Sequence, residues 1–221
     1  MLMEHNLLKI EGLSVGYTST LIANINDVVQ KGDFVVLFGA NGAGKSTLIK
    51  TILQQIPSKC GELFLKGRSI SEYSSATLAK NIAVVNTNKH FDLNLTVYDV
   101  LALGRIPYLN LFGKLTPKDQ RIIELYIERL ALNDIVSNYF YKLSDGQKQK
   151  VLIARALIQD TNLIILDEPT TGLDPVALIY LKKLLSEEKQ KGKTILITTH
   201  IMNLVEEISD QVIFLLDGTI Y

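Results

Sequence analysis

The sequence predicts an α/β fold: a largely parallel sheet covered on both faces, preceded by antiparallel strands and interrupted by a helical insert. Three observations carry this. Residues 163–166 and 194–199 are continuous apolar or β-branched runs rather than alternating ones, the pattern of strands buried on both sides. Residues 39–47 spell G-x-x-x-x-G-K-S-T directly after the apolar run Phe34 to Phe38, and helical spacing follows from Ser46 to Leu53. Between these strand regions, from about residue 88 to 157, the apolar residues recur at helical intervals with capping residues ahead of them.

Composition narrows the classes. A chain of 221 residues with 47% hydrophobic content is long enough for one sizeable domain and a subdomain. Lys plus Arg and Asp plus Glu both number 23, so the formal charge is zero and nucleic acid is not an expected ligand. The single Cys60 excludes an internal disulfide and a cysteine metal cluster, and fits a reducing compartment. Glu4, His5 and Asn6 interrupt the opening segment, so no signal peptide is expected there. No run approaches the roughly twenty apolar residues of a membrane span, so any membrane link goes through a partner.

In chain order, Leu8, Ile10, Leu13 and Val15 come near alternation, and Ile22 to Val29 continues in the same style, predicting antiparallel strands. Tyr17 closes the first of these; it either stacks on a flat base or packs as an ordinary strand-end aromatic. In the phosphate loop, Gly39, Gly42 and Gly44 let backbone N–H groups turn inward at the positive end of the next helix. The loop residues Asn41, Ala43 and Thr47 belong to the same cradle, Lys45 reaches toward outer phosphates, and the Ser46 hydroxyl suits magnesium. Residues 62–68 read as a hairpin turning at Lys66-Gly67, and Ile82 to Val85 as a strand opening into a polar loop.

The insert then follows. Thr96 to Leu103 reads as a helix, Thr116-Pro117 supplies a cap and first-turn proline for a helix to about Leu130, and a third helix runs from about Ser144 to Ile158. Strand signals resume at Leu163 to Leu166, which runs into Asp167-Glu168. After an amphipathic helix from about Pro175 to Lys191, Thr194 to Thr199 runs into His200. Ligand groups in parallel sheets collect at the carboxyl ends of strands, where Asp167, Glu168, His200 and the phosphate loop all fall. An acidic pair after four aliphatics needs partners or work. Asp167 is assigned to the magnesium shell and Glu168 to polarising the water that attacks a γ-phosphate, against the alternative that both cap the turn at Pro169. His200 either touches the γ-phosphate, holds that water, or is a structural histidine. Gln211 to Leu216 and Thr219 to Tyr221 read as a hairpin about Asp217-Gly218, whose short second arm suggests a natural chain that continues.

Leu143-Ser144-Asp145-Gly146-Gln147, taken with residues 39–47, 163–168, Gly172-Leu173-Asp174 and His200, resembles in order and spacing the nucleotide-binding subunits of ATP-binding cassette (ABC) transporters over essentially the whole chain. That resemblance implies a P-loop NTPase with a RecA-like parallel-sheet core, an N-terminal antiparallel β subdomain and an inserted α-helical subdomain. Residues 1–221 would form one ABC ATPase domain, with its core at about 1–87 and 158–221 and its helical subdomain at about 88–157. It implies an ATP hydrolase using ATP and Mg2+, working as a head-to-tail homodimer. Ser144, Gly146 and Gln147 would then complete the partner's site and Asp174 would lie at the seam. Tyr17 matches the family's adenine-stacking aromatic. Transmembrane permease subunits, and for an importer a substrate-binding protein, are the implied partners, with the chain peripheral on the cytoplasmic face of the membrane.

Two positions depart from the family pattern. Thr87 stands where a metal-contacting Gln is usual; it is shorter and lacks the amide, though its hydroxyl can reach a metal-bound water. Asp145 stands where Gly is commoner. The first two-thirds, through Leu101 to Tyr108, resembles ATPases of iron-siderophore, haem and cobalamin importers. Residues 170–175 and 203–210 resemble exporter-type ATPases, so either the family boundary is soft or two lineages join near Leu166. Two further readings stand beside transport: a soluble cassette ATPase of translation or DNA repair, disfavoured by one cassette and no net positive charge, and a nucleotide-binding regulator of low turnover, which Thr87 keeps open.

Overall fold

A computed structural model describes residues 6–86, 94–110, 112–170, 172–201 and 209–221. The elements in order are β1 (Asn6–Gly16), β2 (Thr20–Gln30), β3 (Phe34–Gly39), α1 (Lys45–Ile52), β4 (Cys60–Leu65), β5 (Arg68–Ser69), α2 (Ser75–Ala79) and β6 (Ile82–Val85). Then come α3 (Val97–Ala102), α4 (Pro117–Arg129), α5 (Asp145–Ile158), β7 (Leu163–Asp167), α6 (Pro175–Gln190), β8 (Thr194–Thr199), β9 (Gln211–Leu216) and β10 (Thr219–Ile220).

Two sheets result. The first runs β2-β1-β4-β5 and is antiparallel throughout, as the near-alternation of its strands predicts. The second runs β10-β9-β3-β8-β7-β6, with every pair parallel except the terminal hairpin of β9 and β10. Its central strands are buried on both faces, and alternate residues serve different cores. Val36, Ile164, Leu166, Ile195 and Ile197 join the cluster under α3, α5 and α6, whereas Val35, Leu37, Ile165 and Leu196 join the cluster formed with α1 and the antiparallel sheet. The continuous apolar runs in the sequence are this double coverage.

The insert is pinned to that core by polar ties as well as packing. Thr116 caps α4 in a reciprocal box with Asp119, and the other oxygen of Asp119 accepts from Arg105 Nε at 2.7 Å. Both side chains are buried. Arg105 also donates to the Ile158 carbonyl at the end of α5, at 2.9 Å, and lies over the Tyr108 ring at 3.9 Å. At the same end of α5, Arg155 donates to the Val84 carbonyl on β6, and Gln159 to the carbonyls of Ala79 and Ile82. Further out, Arg129 of α4 bonds Glu187 and the fully buried Glu188 of α6.

Burial alone would raise the Asp119 carboxyl, but bonds from Thr116 and Arg105 outweigh it and hold it below its ordinary 3.8. A carboxylate depressed in the folded state stabilises above its unfolded pKa and loses that contribution as pH falls through the folded value. Urea unfolding at neutral pH should therefore show Asp119→Ala destabilised by about 3 kcal/mol, because Arg105 is left buried and unpaired. The paired change Arg105→Met with Asp119→Leu should cost clearly less, and the Asp119→Ala deficit should shrink below about pH 4.

Candidate functional site

Three parallel strands lie side by side in the order β3, β8, β7, so their carboxyl ends open at one edge. The register pairs Phe38 with Thr199 and Thr198 with Asp167, bringing the loop after β3, the acidic pair after β7 and His200 after β8 to one place.

The loop after β3 has the backbone of an anion cradle. Gly42 and Gly44 have φ of 83° and 109°, left-handed values that favour glycine, and a Cβ on Gly44 would lie 2.9 Å from a Leu21 methyl. Gly44 begins α1 with no side-chain cap, and no acidic residue occupies the first turn. The amino end of this helix thus presents N–H groups and a positive dipole with no acidic residue of its own first turn to offset them. That fits the phosphates of a nucleotide.

Lys45 is only 5% exposed. Its ammonium donates to the Gly39 carbonyl at 2.7 Å and the Ala40 carbonyl at 3.1 Å, and pairs with Glu168 Oε1 at 3.0 Å. Glu168 Oε2 meets His200 Nδ1 at 2.9 Å. The Glu168 side chain therefore bridges the loop lysine and the histidine. Its backbone sits at φ 47°, a left-handed value that costs a non-glycine residue energy, and its amide is held by the Thr198 carbonyl at 3.2 Å and hydroxyl at 3.0 Å. Asp167, buried one residue earlier, accepts from Ser46 Oγ at 2.8 Å and Thr198 Oγ1 at 2.6 Å. A serine hydroxyl beside a carboxylate is the hard-oxygen set that suits Mg2+, which takes few protein ligands and keeps waters and phosphates.

The remaining candidates lie around this centre. Tyr17 is 56% exposed, and its hydroxyl accepts from Lys50 of α1 at 3.1 Å. Asn41 is exposed, Ala43 half-buried and Thr47 buried within the loop and the start of α1. Ser144 caps α5: its hydroxyl accepts from the Gln147 amide, while Gln147 Oε1 accepts from the Ser144 amide. A Cβ on Gly146 would lie 3.2 Å from the Gly172 carbonyl, so the start of α5 abuts the loop that leads to Asp174. Asp174 caps α6 through the Ala177 amide at 2.8 Å. Thr87 lies outside the described residues. Thr198, which bonds both acidic residues, and Lys50 were not anticipated from the sequence; the β-branched run that ends directly before His200 was the only sign of the first.

A family model described as ABC transporter matches residues 22–171. An uncharacterised ABC transporter ATP-binding protein of Methanocaldococcus jannaschii is 40% identical over 207 residues, covering 93% of this chain and 71% of its own length. The iron(3+)-hydroxamate import ATP-binding protein FhuC of Bacillus subtilis is 36% identical over 217 residues, covering 97% and 81%. Among solved structures, an ATP-binding subunit of an ABC transporter superposes with a TM-score of 0.87 at 32% identity, covering 97% of this chain and 88% of that one. A dimeric cassette bound to ADP and Pi superposes with a TM-score of 0.84 at 24% identity, covering 96% of each chain, a likeness of fold. A matched family model across residues 22–171, together with relatives of this identity and coverage, establishes that the chain belongs to the ABC transporter ATP-binding family.

Proposed function

We propose that this chain binds and hydrolyses ATP to energise a membrane transporter, and that its cargo is an iron-siderophore, haem or cobalamin-type substrate. The observation that carries the reaction is the bridge from Lys45 through Glu168 to His200, at the mouth of an uncapped helix. Lys45 exchanges the Gly39 and Ala40 carbonyls for the outer phosphate oxygens and offsets their charge. Glu168, freed from that ion pair, accepts the proton of the attacking water. His200, bonded to the other carboxylate oxygen, holds Glu168 in line and reaches the γ-phosphate. Mg2+, when bound, supplies positive charge to the phosphate oxygens; Ser46 and Asp167 are the residues that would hold it, with Thr87 the third candidate. Tyr17 offers its exposed ring to the adenine.

Two copies are proposed to meet head to tail, so that Ser144, Gly146 and Gln147 complete the partner's site, with Asp174 at the seam. That a cassette of the same fold is dimeric with ADP and Pi bound is in keeping with the pairing of two copies. In this reading the insert at about 88–157 is the arm that carries Ser144 and the remainder is the catalytic core. Permease subunits anchor the pair at the cytoplasmic face of the membrane, and a substrate-binding protein delivers cargo. Among the described residues no helix is long and apolar enough to cross a membrane. For cargo, the hydroxamate-import relative aligns over 217 residues, past Leu166 and through the segment that resembles exporters, which favours import over export.

Glu168→Gln should lower phosphate release by at least about 100-fold while ATP still drives dimer formation on size-exclusion chromatography; normal turnover would remove Glu168 from this role. Lys45→Ala should weaken ATP binding by roughly 2 kcal/mol in calorimetry, the worth of a charge-assisted bond; unchanged affinity would contradict the phosphate-loop assignment.

A further inference from the structure

A cleft of about 750 Å3 lies between the carboxyl end of α4 and the amino-terminal halves of α5 and α6. Small-molecule sites occur at this size. Its lining includes Ile153, Leu181 and Leu184, all buried, and Leu130, and its edge reaches Ser144 and Asp174. One cation enters it, Lys150. Among the described residues Lys150 has no carboxylate or carbonyl partner; its one contact is the face of the Tyr180 ring, 5.9 Å away. Burial pushes its pKa down, as expected of an ammonium with no counter-charge. Arg129, at the carboxyl end of α4, is by contrast neutralised by Glu187 and Glu188. Of the acidic groups near the cleft, Asp145 is exposed, and Asp174 is engaged as the cap of α6. An apolar cleft with one unneutralised ammonium is complementary to a molecule with an apolar body and one anionic group.

We propose that this cleft binds an amphipathic organic anion, an aliphatic or aromatic carboxylate, with the carboxylate on Lys150 and the apolar body against Ile153, Leu181 and Leu184. Such an occupant touches both the helix that starts at Ser144 and the helix that starts at Asp174. It therefore fixes their separation and alters turnover. Binding stands by itself; the effect on turnover rests on the function proposed above.

Decanoate is the probe, titrated calorimetrically into the full chain. The expected result is saturable one-to-one binding, kept in Lys45→Ala, which separates this site from the phosphate loop. Binding should be kept in Lys150→Arg, weakened about tenfold in Lys150→Met, a loss of about 1.4 kcal/mol, and lost in Ala177→Trp, which fills the cleft. Decanoate should also change phosphate release by the wild-type chain and leave the Lys150→Met rate unchanged. No saturable binding, or equal binding by wild type and Lys150→Met, would overturn the site. Binding without a change in rate would overturn its action on turnover. A chain that releases no phosphate at all would defeat the proposed function while the calorimetry still decides the site.

Discussion

Thr198, the penultimate residue of the central strand β8, places its hydroxyl on the Asp167 carboxylate at 2.6 Å, and both its carbonyl and its hydroxyl engage the Glu168 amide. Through these bonds the parallel pairing of β8 with β7 becomes a fixed placement of two carboxylates. The pairing of β8 with β3 sets the phosphate loop opposite them. A one-residue slip would carry Asp167 to the opposite face of the sheet, away from Ser46, and Glu168 away from Lys45. The double burial of these strands, with Val36 and Ile197 on one face and Val35 and Leu196 on the other, is what makes such a slip costly.

The same logic extends to the insert, whose far ends have separate ties. Helix α5 carries Ser144 at its start, and at its finish Arg155 and Gln159 grip the backbone about β6 while Arg105 grips Ile158. The Arg129 to Glu188 contact fastens α4 to α6, the helix that Asp174 begins. The region that presents Ser144 therefore meets the core through buried charge as well as apolar packing. Buried charge pairs hold strict geometry because a misplaced partner leaves an unpaired charge in low dielectric. The Lys150 cleft lies between these ties, where the insert and α6 face each other without filling the space between.

Much of this was legible before any coordinates. The phosphate loop, the two buried strand runs, the cap at Thr116 and the helix start near Ser144 are local patterns, and the structure has them where residue spacing predicts. What was not legible depends on register across space. Thr198 and Asp167 are 31 residues apart, Ser46 and Asp167 are 121 apart, and nothing in either neighbourhood announces the other. The short α2 and the 3-10 turn at Leu103–Tyr108 are too brief for a period to show. Arg105 reads as a surface residue until the fold buries it against Asp119.

The claim on which the account turns is that Ser144 of one copy serves the Lys45 and Glu168 of another. Mixing two inactive full-length variants, Ser144→Arg and Glu168→Gln, and measuring phosphate release tests it most directly. The mixed dimer holds one site with an intact loop and Glu168 from the first copy and an intact Ser144 from the second. The account predicts that mixing restores activity that neither variant has alone, and a mixture as inactive as its components would contradict it.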